Sequence, residues 1–198
     1  MFTGIVETMG KIVSIETQGT NVDFTVKSDI SASLKVDQSI LHNGVCLTVT
    51  KQWDNKHRVT AIDETLSKSN LGQLQVGHSV NLEKCMSMNS LLDGHIVQGH
   101  VDEMAKCIRI EDQEGSRIFH FNISKENEGL IVNRGSICLN GISLTIADIA
   151  ENTFYVAIIP YTLEHTNFGQ LQVGQYVNVE YDILGKYIRR HLVLEKQP

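Results

Sequence analysis

The sequence lacks the features that mark several large classes of protein. No apolar run approaches the ~18 residues that a membrane-spanning helix needs, so no membrane span is predicted. The 17 Lys and Arg residues are fewer than the 23 Asp and Glu residues, which leaves no cationic surplus to neutralise nucleic-acid phosphates. Only two prolines occur, and no Pro/Gly/Ser-rich linker interrupts the chain. The first residues, MFTGIVETMG, lack the pattern of a secretion signal, so a cytoplasmic protein is expected.

Zinc-binding spacings and common catalytic motifs are also missing. The sequence contains no P-loop, no dinucleotide-binding fingerprint and no Ser-His-Asp signature. His95 and His100 are five residues apart, which places them on opposite faces of a strand and argues against a shared zinc ion. We therefore predict no metal site. The cysteines form no CxxC pair and fit a reducing compartment: Cys46, Cys85, Cys107 and Cys138.

The most informative feature that is present is an internal repeat. Residues 64–83 and residues 161–180, 97 positions later, are identical at 12 of 20 positions. Residues 39–50 and 136–147 have the same offset and are identical at 6 of 12 positions. This period is too long for a solenoid repeat and suits a duplicated domain near the lower size limit for an independent core. We predict a first domain over residues 1–95 and a second over residues 96–192.

Within each copy the local pattern is that of short β-strands. Asn43-Gly44 and Asn140-Gly141 each separate two strand-like runs, which is a strong signal for a type I′ hairpin. Several short strands at this spacing favour a closed barrel or a sandwich over a βαβ arrangement. Residues 66–71 and 163–168 are each expected to form a helical turn. The predicted strands are 21–26, 39–41, 46–50, 58–62, 79–82, 117–123, 136–139, 143–146, 153–159 and 176–180.

The C-terminal segment has a helical pattern instead. Over residues 183–195, apolar side chains recur at helical spacing at Leu184, Tyr187, Ile188 and Leu192. Such a stripe needs a partner surface. It packs either on its own barrel or against copies of itself in an oligomer, and the pattern alone leaves both open.

The candidate reactive groups differ between the two copies. Cys46 follows the first Asn-Gly pair, and Ser143 holds the same place in the second copy. A thiol can add to an electrophilic carbon or relay a proton if its pKa is lowered, although a packed strand cysteine is the simpler interpretation. His95 and His100 are candidate acids or bases, or turn histidines with a structural hydrogen bond.

Five segments together resemble the lumazine-binding repeat family: MFTGIVE, NGVCLTVT, DGHIVQGHVD, NGISLT and IPYTLEHTN. They occur in the family's order and cover nearly the whole chain. The resemblance implies an all-β fold of two tandem six-stranded Greek-key barrels, with a C-terminal helix around which a homotrimer is built. It also implies an enzyme that uses no metal or redox cofactor. Its reaction is the dismutation of two 6,7-dimethyl-8-ribityllumazine molecules by four-carbon transfer, giving riboflavin and 5-amino-6-(D-ribitylamino)uracil.

The resemblance also implies site residues. In the first barrel a lumazine pocket is expected from Gly4, Ile5, Val6, Cys46, Leu47 and Thr48. In the second barrel the expected pocket residues are Gly99, His100, Val101, Ser143, Leu144, Thr145, Ile158, Ile159, Pro160, Tyr161, Thr162 and Leu163. Residues expected to reach in from the partner site are Thr60, Ala61, Ile62, Asp63, Glu64, Thr65 and Arg134. The implied catalytic residues are Cys46, His100, Ser39, Phe2 and Thr145, with Phe2 closing the pocket over the ring.

Two departures from the family pattern bear on these roles. Arg134 stands where a lysine is common, which preserves the charge but not the shape. Asn140 stands where an acid is often found, so a carboxylate role is lost there. Two rival functions stay open: a lumazine- or flavin-binding antenna without chemistry, and a structural barrel without a ligand. The resemblance also leaves open an association with lumazine synthase, the enzyme that makes the substrate.

Overall fold

A computed structural model describes residues 1–195 and contains two closed antiparallel β-barrels. The first barrel is built from Thr8–Gln18 (β1), Asn21–Lys27 (β2), Ser39–His42 (β3), Val45–Trp53 (β4), Lys56–Ala61 (β5) and Ser79–Lys84 (β6). The second is built from Glu103–Gln113 (β7), Ser116–Asn122 (β8), Ser136–Leu139 (β9), Ile142–Ala150 (β10), Thr153–Ile158 (β11) and Tyr176–Tyr181 (β12). The helices are Asp63–Lys68 (α1), Pro160–His165 (α2) and Ile183–Glu195 (α3).

The two barrels share one topology. Around the first barrel the strands follow the order β1-β2-β5-β4-β3-β6, and the strands of the second barrel pair in the equivalent order. All these pairings are antiparallel, and closure leaves neither sheet with a free edge. The predicted fold class, two six-stranded Greek-key barrels with a C-terminal helix, is confirmed. The domain boundary near residue 95 stays a prediction.

The two Asn-Gly pairs form the predicted tight turns. Asn43 and Gly44 have φ angles of 49° and 78°, and Asn140 and Gly141 have φ angles of 48° and 79°. Positive φ at both central residues is what a type I′ turn requires, and Asn and Gly tolerate it best. The strand residues on either side pair directly, so each loop contains two residues.

The first strand of each barrel, β1 and β7, was not among the strands that the local pattern predicts. Each contains a β-bulge, between Ile12 and Ser14 in β1 and between Cys107 and Arg109 in β7. A bulge inserts one residue and moves the following side chains to the opposite face. The two-residue alternation is therefore interrupted within each strand. Strands β4 and β10 also contain bulges, and their predicted ranges, 46–50 and 143–146, end close to them.

Asparagine side chains join the two barrels through repeat-related hydrogen bonds. The Asn81 side chain donates to the backbone carbonyl of Asn140 at 2.9 Å, and the Asn178 side chain donates to the carbonyl of Asn43 at 2.8 Å. Each amide therefore binds the hairpin turn of the opposite barrel. The full cluster is Asn43, Asn70, Asn81, Asn140, Asn167 and Asn178.

Helix α3 matches the predicted range but leaves its apolar stripe uncovered. Leu184, Tyr187, Ile188 and Leu192 are 65%, 72%, 61% and 51% exposed. The helix contacts the 3₁₀ turn at Lys125–Leu130, yet none of its described residues is buried. Among the residues described, no helix has both the length and the apolar character needed to cross a membrane.

Candidate functional site

Two short arms cross between the barrels and define the site. The N-terminal arm, residues 2–6, precedes the first barrel, and the central arm, residues 97–101, precedes the second. The arms meet where Phe2 and Val97 exchange backbone hydrogen bonds of 2.8 and 3.1 Å. Beyond this bridge each arm lies against the barrel to which it does not belong.

The central arm packs on the first barrel beside Cys46. The Cys46 N–H donates to the Gly99 carbonyl at 2.9 Å, and Val101 packs against the core of the first barrel. Gly99 has a φ of +83°, and a Cβ at this position would collide with Cys46. Only glycine permits such close backbone contact in this conformation.

The N-terminal arm makes the matching contact on the second barrel. The Ser143 N–H donates to the Gly4 carbonyl at 2.7 Å, and Val6 packs against the core of the second barrel. Gly4 has a φ of +76°, and a Cβ there would lie 2.7 Å from the Ser143 Cβ. The two arm–barrel contacts are thus repeat-related.

The first pocket, called here the Cys46 pocket, is a cavity of about 250 Å³ between the first barrel and the central arm. Its wall combines a thiol, an imidazole, a carboxylate and an ammonium group with apolar side chains and backbone. The lining residues are Val45, Cys46, Glu64, Thr65, Lys68, Ser69, Gly99, His100 and Val101. The mixture of apolar and hydrogen-bonding groups suits a flat heterocycle with polar edges.

The Cys46 thiol in this pocket is protonated at neutral pH. Burial raises its pKa above the usual value, and the nearby Ser39 hydroxyl only partly opposes this rise. Ser39 and Cys46 lie on neighbouring strands β3 and β4, where Ser39 pairs with Thr48 and Leu41 pairs with Cys46. Cys46 therefore offers an S–H group rather than a thiolate nucleophile.

The second position, called here the Ser143 site, contains a serine–histidine pair. The Ser143 Oγ and the His95 Nδ1 lie 2.6 Å apart. His95 is 8% exposed, and its Nε2 is buried with no hydrogen-bond partner among residues 1–195. Burial lowers the pKa of His95, and the charge of Asp182 partly opposes this. A neutral imidazole beside a hydroxyl can exchange a proton with it.

A protein-family model described as the lumazine binding domain matches the chain twice, over residues 3–85 and 98–182. The two matches correspond to the two barrels. The chain belongs to the lumazine-binding domain family.

Curated relatives match over nearly the whole chain. "Riboflavin synthase" of Actinobacillus pleuropneumoniae is 39% identical over 194 residues, covering 98% of this chain and 90% of that protein. "Riboflavin synthase" of Bacillus subtilis is 38% identical over 193 residues, with 97% and 90% covered. "Riboflavin synthase" of Saccharomyces cerevisiae is 35% identical over 207 residues, with 98% and 87% covered.

Solved structures of LumP share the fold of this lumazine-binding chain. LumP complexed with riboflavin superposes with a TM-score of 0.85 at 28% identity, covering 91% of this chain and 99% of LumP. LumP complexed with 6,7-dimethyl-8-(1′-D-ribityl) lumazine gives a TM-score of 0.83 at 27% identity, covering 91% and 98%.

The lumazine-binding barrels group the predicted site residues differently from the expectation. Residues 99–101 lie with Cys46 in the first barrel, and residues 4–6 lie with Ser143 in the second, because the arms cross. The expectation had kept each arm with the pocket of its own barrel. Glu64 and Thr65 line the Cys46 pocket of their own chain. Whether they also reach a neighbouring subunit stays a prediction.

Several predicted site residues point their side chains into the protein interior. Leu47, Ala61 and Ile158 belong to the barrel cores, so only their backbone is available to a ligand. Phe2 is 1% exposed and packs with Leu41, Val97 and Cys138 between the barrels. Its side chain therefore fastens the arms together and does not close a pocket in this structure.

The remaining predicted residues lie at the surface around the two positions. Thr48 and Thr145 are exposed on β4 and β10, and Leu144 packs partly against the second core. Arg134 has a φ of +63° and its N–H donates to the Ile146 carbonyl at 2.9 Å. The others surround α1 and α2: Thr60, Ile62 and Asp63 in the first barrel, and Ile159, Pro160, Tyr161, Thr162 and Leu163 in the second.

His95, a candidate acid or base in the sequence, was not among the residues expected to form a pocket, yet it lies beside Ser143. The chain order places it at the end of the first repeat, far from Ser143, and it has no counterpart in the other repeat. Its contact with Ser143 depends on the crossing of the arms. No local signal in the sequence reports that crossing.

Proposed function

We propose that this chain catalyses the riboflavin synthase reaction. Two molecules of 6,7-dimethyl-8-ribityllumazine dismutate by transfer of a four-carbon unit, giving riboflavin and 5-amino-6-(D-ribitylamino)uracil. The observation that carries the proposal is the pair of repeat-related but chemically unlike positions at Cys46 and Ser143. They occur in a lumazine-binding chain that is 38–39% identical to two curated riboflavin synthases over nearly its full length.

The reaction suits a protein that mainly holds its substrates in place. The lumazine supplies an electrophilic ring carbon and an acidic methyl group, so the protein need provide no strong reagent. Orientation of two bound reactants can contribute about 7–11 kcal/mol to the lowering of a barrier. Two unlike positions suit this reaction because one lumazine gives the four-carbon unit and the other receives it.

We assign proton transfer in the Cys46 pocket to His100. His100 lines this pocket, and imidazole is the side chain that most often serves as a general acid or base, whereas burial raises the pKa of the Cys46 thiol, which stays protonated. The Cys46 S–H and the Ser39 hydroxyl then act as hydrogen-bonding groups. At the Ser143 site, the Ser143 hydroxyl and His95 form the proton-exchanging pair, with Thr145 as a further hydroxyl on the same strand.

We further propose a homotrimer that assembles through α3. The stripe of Leu184, Tyr187, Ile188 and Leu192 needs a partner surface, because packing on its own barrel leaves each of these side chains more than half exposed. Each active site would take the first barrel of one subunit and the second barrel of its neighbour, with two lumazines between them.

The reaction is proposed to need neither a metal nor a redox cofactor, because the four-carbon transfer is balanced between the two lumazines. Turnover that survives exhaustive dialysis against a chelator supports the absence of a metal requirement, and loss of turnover restored by a metal contradicts it.

We also propose that the protein is located in the cytoplasm, where its four free cysteines stay reduced. Co-sedimentation with purified lumazine synthase tests the proposed association of the two enzymes.

The direct test mixes the purified chain with 6,7-dimethyl-8-ribityllumazine and follows absorbance. The proposal predicts one riboflavin formed for every two lumazines consumed. The similarity to LumP favours a second function, in which the chain binds the lumazine without converting it. Tight binding with an unchanged lumazine spectrum over hours supports that second function and overturns the first.

A further inference from the structure

Two buried glutamates bind the crossing arms. Glu180, on β12 of the second barrel, is 3% exposed. Its carboxylate accepts backbone N–H groups of the central arm, from Gln98 at 2.6 Å, Gly99 at 2.8 Å and His100 at 3.0 Å. Glu180 of the second barrel therefore holds Gly99, which makes the close backbone contact with Cys46, and His100, whose imidazole lines the Cys46 pocket.

Glu83, on β6 of the first barrel, does the same for the N-terminal arm. It is 4% exposed and accepts the Thr3 N–H at 2.6 Å, the Thr3 hydroxyl at 2.8 Å and the Gly4 N–H at 3.0 Å. Glu83 and Glu180 hold the same position in the repeat, 97 residues apart, within the longest matching segment. The same device therefore occurs once for each arm.

Burial of a charged carboxylate at these two positions is unfavourable unless the hydrogen bonds from the arm compensate for the lost hydration. Burial raises the pKa of both Glu83 and Glu180, while the backbone N–H groups that they accept act in the opposite direction. Neither glutamate forms an ion pair within residues 1–195. Lys186, whose charge lowers the pKa of Glu180, is paired with Asp102 at 2.6 Å. The arm N–H groups are therefore the principal partners of these charges.

We propose that Glu180 and Glu83 are positioning residues, each seated in one barrel and each fixing the arm that completes the lumazine position of the other barrel. The assignment of lumazine to these positions rests on the proposed function. The positioning itself does not, because it concerns only the arms, the glutamates and the residues that the arms cover.

The consequence for the Cys46 pocket is direct. The Gly99 carbonyl accepts the Cys46 N–H while the Gly99 N–H donates to Glu180, so one peptide segment links the two. Glu180→Gln replaces one acceptor oxygen by an NH₂ group that faces an N–H donor. The central arm should then detach from Cys46 more often, and the N-terminal arm should stay in place.

The test measures how fast Cys46 reacts with a small maleimide, in a Cys85→Ser background. Cys46 is then the accessible thiol, because Cys107 and Cys138 are buried. Glu180→Gln is expected to raise the labelling rate about tenfold, the effect of losing one charge-assisted hydrogen bond. Glu83→Gln, the repeat-related control, should leave that rate at the parent value. Equal acceleration in both variants, or none in Glu180→Gln, overturns the proposal.

A second variant and a ligand-protection measurement complete the experiment. If Glu180→Gln does not fold, Glu180→Asp replaces it, since this variant keeps the charge but is one methylene too short to reach all three N–H groups. The labelling is also repeated with 6,7-dimethyl-8-ribityllumazine present. Failure of the lumazine to protect Cys46 contradicts a lumazine position there, whereas the effect of Glu180→Gln tests the positioning role alone.

Discussion

At the residue scale, matching positions of the two repeats carry different chemistry. Cys46 corresponds to Ser143, and His100 on the central arm corresponds to Ile5 on the N-terminal arm. One position therefore has an imidazole on its arm, and the other has an apolar side chain on its arm with His95 behind the serine. This asymmetry suits the proposed reaction between a donor and an acceptor lumazine.

The roles of His100 and Cys46 are distinguished by the effect that a substitution of each has on kcat. His100→Gln removes the proposed acid–base group and is expected to lower kcat by about 10²–10⁴-fold. Cys46→Ser keeps a hydrogen-bonding group, so a loss of less than about tenfold is expected. The measurement is the rate of riboflavin formation at saturating lumazine. A larger loss in Cys46→Ser than in His100→Gln contradicts the assignment.

Two histidines inside the first barrel make its stability depend on pH. His42 and His57 are buried with their Nε2 atoms 2.9 Å apart, and Ser31 bonds the Nδ1 of His57 at 2.8 Å. Burial lowers the pKa of His57 to about 4 and that of His42 well below 6.5. Below pH 6.5 the unfolded chain therefore binds protons that the folded chain does not. The contribution of the two neutral histidines to the free energy of unfolding is fully present above this pH and falls as the pH decreases toward about 4.

The second barrel suggests the variant that tests this dependence. Leu139 and Phe154 occupy the positions that correspond to His42 and His57. The double variant His42→Leu/His57→Phe should keep its free energy of unfolding between about pH 6.5 and 4.5, where His57 alone makes the parent lose about 2–3 kcal/mol. Urea unfolding at several pH values measures it, with the exposed His78→Gln as control. An equal loss in the double variant contradicts the argument.

At the scale of secondary-structure elements, the hairpins and α3 were predictable because short sequence signals specify them. Asn-Gly pairs favour positive φ, and the apolar spacing of residues 183–195 suits a helix. Strands β1 and β7 were not predicted, and in both a bulge interrupts the two-residue alternation. The path of the two arms could not be predicted, since residues 4–6 and 99–101 carry the same local pattern whichever barrel they contact.

The uncovered stripe of α3 leads to a prediction about assembly. Ile188→Glu places a charge in the proposed subunit interface and should convert the trimer to the 22.1 kDa monomer, with loss of turnover. Arg190→Glu, on the same helix and also exposed, changes charge outside the stripe and should preserve both. Sedimentation equilibrium gives the mass. A monomeric parent chain that turns over lumazine contradicts the proposal.

At the scale of the whole molecule, the chain contains two related barrels, and each barrel is completed by the arm that precedes the other barrel. The repeat offset and the correspondence of Cys46 with Ser143 could be derived from the sequence, and the structure shows both residues at equivalent places in the two barrels. The dependence of each position on the opposite barrel could not, because it arises from long-range contacts that span about half the chain. Neither barrel by itself contains all the residues of either proposed lumazine position.

Complementation between two inactive variants tests whether each active site is shared between two subunits. Cys46→Phe fills the first position and Ser143→Phe fills the second, at matching places of the repeat. Each variant alone should form no riboflavin. If every active site combines the first barrel of one subunit with the second barrel of its neighbour, unfolding and refolding the two together restores sites with both positions intact. Turnover should return in the mixture, whereas a mixture as inactive as its components would mean that active sites are not shared between subunits in this way.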